Sequence, residues 1–109
     1  MGRRELSAME HLVLLAILRL GQDAYGIPIL DDVSNESGRD VARATVYVAL
    51  RRLERKGLLA SYMGDSTPER GGRAKRFFRL TPAGLKTLRQ VRTRYLRLLR
   101  RYETALERA

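Results

Sequence analysis

The chain has no cysteine and no tryptophan, and only one histidine, three prolines and two phenylalanines in 109 residues. Without cysteine there is neither a disulfide nor a thiolate metal site, and a lone histidine cannot supply a zinc cluster. His11 lies among leucines on a helix, where it reads as a partly buried or surface residue rather than a general base. Acidic residues are also scarce, 12 against 22 Lys and Arg. The adjacent Asp31 and Asp32 point about 100° apart on a helix and do not converge as a carboxylate pair. No nucleophile–base constellation is present, so the chain reads as a non-enzyme, and no metal or cofactor is expected. No apolar run approaches the roughly 18 residues of a membrane span. Residues 1–20 lack the charged region, apolar run and small-residue cleavage site of a signal peptide, so the expected location is cytoplasmic.

What the chain does have is positive charge, unevenly placed. The formal net charge is +10 and the isoelectric point is near 11.0, which points to a polyanionic partner. Residues 1–38 carry −3 (three basic, six acidic), 39–81 carry +7 (eleven basic, four acidic) and 82–109 carry +6 (eight basic, two acidic). A chain of this length forms one unit with a modest core, burying roughly 60 to 70% of its unfolded surface. Oligomerisation would add to that.

Ser7 and Glu10 match a capping box, opening a helix expected to run to about Leu20. Its segment LVLLAILRL is apolar nearly all round. Met9, Val13, Ala16, Ile17 and Leu20 can face a core, leaving Leu12, Leu15 and Leu18 in need of another partner. Gly21 ends the helix, residues 23–26 read as a turn, and a second helix is expected from Ile27 with Pro28 in its first turn and Ile27, Leu30 and Val33 inward. The break at 37–40 leads to a third helix, VARATVYVALRRLERK, stopped by Gly57. With Val46 at the middle of its buried side, Ala42, Ala49, Leu50 and Leu53 should face the core. Arg43, Tyr47, Arg51 and Arg55 form an i, i+4 stripe on the outside. Guanidinium forks there suit guanine edges or phosphates, and the tyrosine hydroxyl suits a phosphate.

A hairpin is expected next, with strands at 58–63 and 76–80 joined by turn-forming residues. Its tip should carry Arg70, Arg73, Lys75 and Arg76 beside Gly71 and Gly72, which let a sugar-phosphate strand approach closely. The glycine pair lacks the spacing of a nucleotide-phosphate loop and sits between strands rather than before a helix. Thr81 as N-cap and Pro82 at the first helical position open a last helix to about Glu107. Leu88, Val91, Tyr95, Leu98, Tyr102 and Ala105 recur at steps of 3 and 4, and Leu85, Leu99 and Leu106 widen the stripe. Such a seam, together with Leu12 and Leu15 of the first helix, suits a homodimer.

The expected fold is therefore mainly α with a small β-hairpin. A winged helix-turn-helix that binds double-stranded DNA spans residues 1–81, and a long C-terminal dimerisation helix spans 82–109. A basic amphipathic helix lying on a membrane would leave the hairpin and the arginine stripe unexplained, so no membrane partner is expected. A nonspecific nucleic-acid binder fits the charge but predicts weak sequence preference, and a protein-interaction adapter fits the fold but not the basic face.

Five blocks in order carry a family resemblance: MEHLVLLAIL, AYGI at 24–27, TVYVALRRLERKGLL, ERGGRAKRFFRLT, and TPAG at 81–84. On these the chain resembles PadR-type transcriptional regulators over essentially its full length, in the short form with one dimerisation helix. The resemblance implies a bacterial winged-helix repressor that binds a partly palindromic operator as a dimer. It also implies Thr45, Tyr47 and Arg51 at or near DNA, with Arg73, Lys75 and Arg76 on the flanking backbone. Two departures stand out. Ala42 occupies a position where relatives often cap the helix with serine or threonine. The tryptophan that some drug-responsive members place between subunits is missing, so a small-molecule inducer is unspecified and would meet Tyr95 or Tyr102.

Overall fold

Backbone capping decides where the elements begin, and the computed structural model, which describes residues 5–64 and 75–109, places them in the expected order. Helix α1 is Ala8–Leu20, α2 Gly26–Ser37, α3 Arg43–Arg55, strand β1 Leu59–Met63, β2 Arg76–Leu80 and α4 Pro82–Arg108. The two strands pair antiparallel, with Leu59 opposite Leu80 and Met63 opposite Arg76. The core lies where α1, α2 and α3 meet the hairpin. It is built from Val13, Leu14 and Ile17, from Ile29 and Val33, and from Val46, Leu50 and Leu53, closed by Leu59 and Phe78.

At the start of α1 the capping box is complete. Ser7 Oγ accepts from the Glu10 backbone N–H at 3.1 Å, and Glu10 Oε1 accepts from the Ser7 N–H at 2.8 Å. Glu10 is also buried, and both its oxygens accept from Lys56 Nζ at 3.1 Å, which ties α1 to the end of α3. Burial pushes the Glu10 carboxyl up, but the Ser7 backbone bond and the Lys56 ammonium more than offset it and hold it below its ordinary 4.5. A folded pKa below the unfolded one means that the stabilisation is complete above 4.5 and is lost as pH falls through the folded value. Urea midpoints should therefore drop in acid more steeply for the wild type than for Glu10→Gln. Parallel acid limbs for the two proteins would refute this.

Three details differ from the sequence expectation. Helix α2 starts at Gly26, with Ile29 and Val33 buried and Ile27 56% exposed. A three-residue step drifts by about 60° on a helix, so Ile27 cannot share a face with Val33, whereas Ile29 can. Ala42 is the N-cap of α3, exposed and without a side-chain bond, rather than a core residue, and among the described residues neither Asp40 nor another side chain substitutes as its cap. Residues 23–26 are more than a turn. Gly21–Asp23 form one 3-10 turn, Ala24 is fully buried and accepts from the Phe78 N–H at 2.8 Å, and Tyr25 bridges Phe77, so this segment lies along the hairpin edge.

Helix α3 ends in a Schellman motif: Leu58 N–H donates to the Leu53 carbonyl and Gly57 N–H to that of Glu54, both at 3.0 Å, with Gly57 at φ 77°. The same turn seats α4. Thr81 Oγ1 donates to the Gly57 carbonyl at 2.6 Å and accepts from the Gly84 N–H at 3.0 Å. A Cβ on Gly84 would run into the Leu58 carbonyl oxygen, so glycine lets α4 touch the turn directly. Leu88, expected on the dimer seam, is drawn into the core at 8% exposure, and Leu12 is half-buried against the same core. From residue 92 to its end at Arg108 every position of α4 is exposed. Among the described residues no helix is long and apolar enough to cross a membrane.

Candidate nucleic-acid interface

A helix that buries Val46, Ala49, Leu50 and Leu53 must turn its other side out, and α3 does so along its whole length. Arg43, Tyr47, Arg51 and Arg55 are all exposed on that side, as the i, i+4 spacing requires. Arg43, Arg51 and Arg55 form no ion pair with another described residue, so their charge faces solvent. Thr45 is exposed as well, but lies about 160° around the helix from Tyr47, on the opposite flank of the outward face. There Ala44, Thr45, Val48 and Arg52 wall a groove of about 320 Å³ against Met9 of α1 and its N-cap Ser7.

The two flanks are braced by different elements. Tyr47 lies over the first turn of α2, so close that a Cβ on Gly26 would sit 2.8 Å from its hydroxyl oxygen. Gly26 thus makes room for the phenol, and the phenol is held beside the start of α2. Next to it an aromatic cluster joins Tyr25 to the end of the strand ladder away from Leu59 and Leu80: Tyr25 and Phe77 have ring centroids 5.2 Å apart, and Phe77 and Tyr62 stack at 5.6 Å. Lys75 Nζ sits 5.0 Å from the Tyr25 ring centroid, a cation–π geometry that places this ammonium near the entry to α2.

Arg76 is the exception among the wing cations. It stands in β2 opposite Met63 instead of at a tip, and its Nη1 donates to Ser61 Oγ at 3.0 Å. Ser61 Oγ donates in turn to Glu54 Oε2 at 2.6 Å, so Arg76 helps fix the hairpin to the end of α3. Arg70 and Arg73, with Gly71 and Gly72, lie outside the described residues. Tyr47 beside Gly26 and Lys75 over Tyr25 bring the α3 stripe and this ammonium to the same end of α2, with donors suited to phosphates and base edges. Among the described residues no group of three His, Cys, Asp or Glu can hold a metal.

A second exposed surface is apolar. On α4, Tyr95, Leu98, Leu99, Tyr102 and Leu106 line one stripe, and Leu96, outside the steps of 3 and 4, is exposed on its edge. Val91 is half-buried where the stripe leaves the core. Leu15 and Leu18 of α1 are exposed too. His11, one turn before Leu15, has its Nε2 buried without a hydrogen-bond partner among the described residues.

Comparison with known proteins agrees with this anatomy. Residues 14–90 match the profile of the transcriptional regulator PadR-like family. A Lysinibacillus sphaericus protein described as uncharacterized protein X is 31% identical over 85 residues, spanning 76% of this chain and 73% of that one. The crystal structure of a PadR family transcriptional regulator from Eggerthella lenta superposes with a TM-score of 0.68 at 31% identity, covering 90% of this chain and 83% of the other. A PadR family regulator from Clostridium difficile superposes at 0.73 with 22% identity, over 92% of this chain and 99% of the other, a likeness of fold.

Proposed function

The chain belongs to the PadR-like family of transcriptional regulators, DNA-binding proteins and not enzymes, and from that premise we propose that it represses transcription as a homodimer seated on a partly palindromic operator. Each α3 enters a major groove, and the hairpin follows the adjacent backbone. Arg43, Thr45, Tyr47 and Arg51 supply the groove contacts, while Arg70, Arg73, Lys75 and Arg76 serve the flanking strand. Residues 1–81 form the reading unit and 82–109 the dimerisation helix, whose first two turns also close the core. The carrying observation is α4, which is uncovered from residue 92 onward yet keeps an apolar stripe. A second copy laid on that stripe, extended by Leu15 and Leu18, removes apolar area from water that a monomer leaves wet. Val91, Tyr95, Leu98, Leu99 and Tyr102 then form the seam, with Leu12 and Leu88 backing it from the core side. Any inducer acts at the same seam, where Tyr95 and Tyr102 are the exposed aromatic groups. A regulator of this kind works beside the chromosome, in the bacterial cytoplasm.

Selection of random duplex DNA by the purified protein at about 150 mM salt, followed by sequencing, tests the reading. An inverted repeat should emerge with half-sites about 10 bp apart, or a multiple of that. Salt-sensitive binding without an enriched repeat would replace it with a nonspecific nucleic-acid role.

A further inference from the structure

The outward face of α3 is not purely cationic. Taking Val46 as the middle of the buried side, Ala44 and Val48 fall about 160° from it on either side, so both point away from the core, at the open lip of the groove beside Met9. Ala44 is exposed and Val48 is 40% exposed. The two are one helical turn apart, about 6 Å along the axis, with Arg51 one turn beyond Val48 and close to it around the helix. An exposed β-branched residue gives α3 no gain in helix propensity, and a surface meant only for phosphates has no use for it. On the major-groove edge of DNA the one apolar group is the C5 methyl of thymine.

We propose that Ala44 and Val48 form a thymine-methyl reading surface, a specificity determinant set beside the arginines. The assignment rests on the reading that α3 enters the major groove. It adds something the cations cannot supply, since Arg51 can select guanine but no guanidinium rewards a methyl group. Ala44 suits the role because a larger side chain in the first turn would hold the helix off the base edge. Val48 then closes on the methyl from the next turn.

The test uses the duplex recovered by selection, with each thymine of the half-sites replaced in turn by deoxyuridine, which lacks only the methyl. Wild-type binding should weaken by about fourfold per half-site at one or two positions, the value of one buried methyl-sized group. Val48→Ala, which favours the helix and is expected to fold, should bind the thymine duplex less well and lose most of the thymine-over-uracil discrimination. Uracil duplexes bound as tightly as thymine duplexes, from a protein that still selects an inverted repeat, would overturn this assignment and leave the proposed function standing. Discrimination that persists undiminished in Val48→Ala would assign the methyl to another residue. A protein that selects no repeat would overturn the major-groove reading itself.

Discussion

Leu98→Asp leaves a folded monomer that binds the operator at least about 100-fold more weakly than the wild type. Leu98 is 46% exposed on α4 and belongs neither to the core nor to the residues packed against it, so the substitution spares the core. In the proposed dimer the same side chain is buried against the partner, and two-fold symmetry places two carboxylates in the seam. Burying them unpaired costs several kcal/mol or separates the subunits. Loss of the dimer then removes the advantage of linked half-sites, which is worth about 10² to 10⁴ in affinity. Light scattering after size exclusion, with circular dichroism to verify folding, reads the first effect, and operator titration reads the second. A dimer that survives, or a monomer with full affinity, would end the seam model.

Arg51→Ala should cost about 1 to 3 kcal/mol of operator binding and remove preference at one base pair of each half-site. Arg51 is exposed in the middle of the outward face of α3, and no described acidic residue competes for it. Its planar fork can bond guanine O6 and N7 together, which a lysine ammonium cannot reproduce, so Arg51→Lys should not restore the preference. Fluorescence anisotropy against a panel of single-base operator variants checks this. A uniform loss across the panel would make Arg51 a phosphate contact instead. Arg76 differs in kind, because its bond to Ser61 ties the hairpin to Glu54. Its removal would disturb wing placement as well as charge.

Much of the interface was legible in the order of residues. The spacing of Arg43, Tyr47, Arg51 and Arg55 is enough to put them on one exposed side of a helix. Val48 was legible by the same wheel, but a search for cations passes over an apolar residue among them. That Tyr47 leans on Gly26, and that Lys75 stands over Tyr25, could not be read, because each contact joins segments whose approach depends on the packed core.

Helix starts, the hairpin and the sign of the surface were determined by the sequence itself. The capping box at Ser7 and Glu10, the Thr81-Pro82 start and the glycine stop at Gly57 act within a turn or two of chain and need no distant partner. Tertiary structure decided which apolar residues are hidden where the local spacing left a choice. It rotated Ile27 out and Ile29 in, and it drew Leu88 off the expected seam into the core. It set the AYG segment along the hairpin edge, and it joined Glu10 to Lys56 across 46 residues. Those outcomes depend on how whole elements pack against one another, and a local pattern constrains that only to within the width of a helix face.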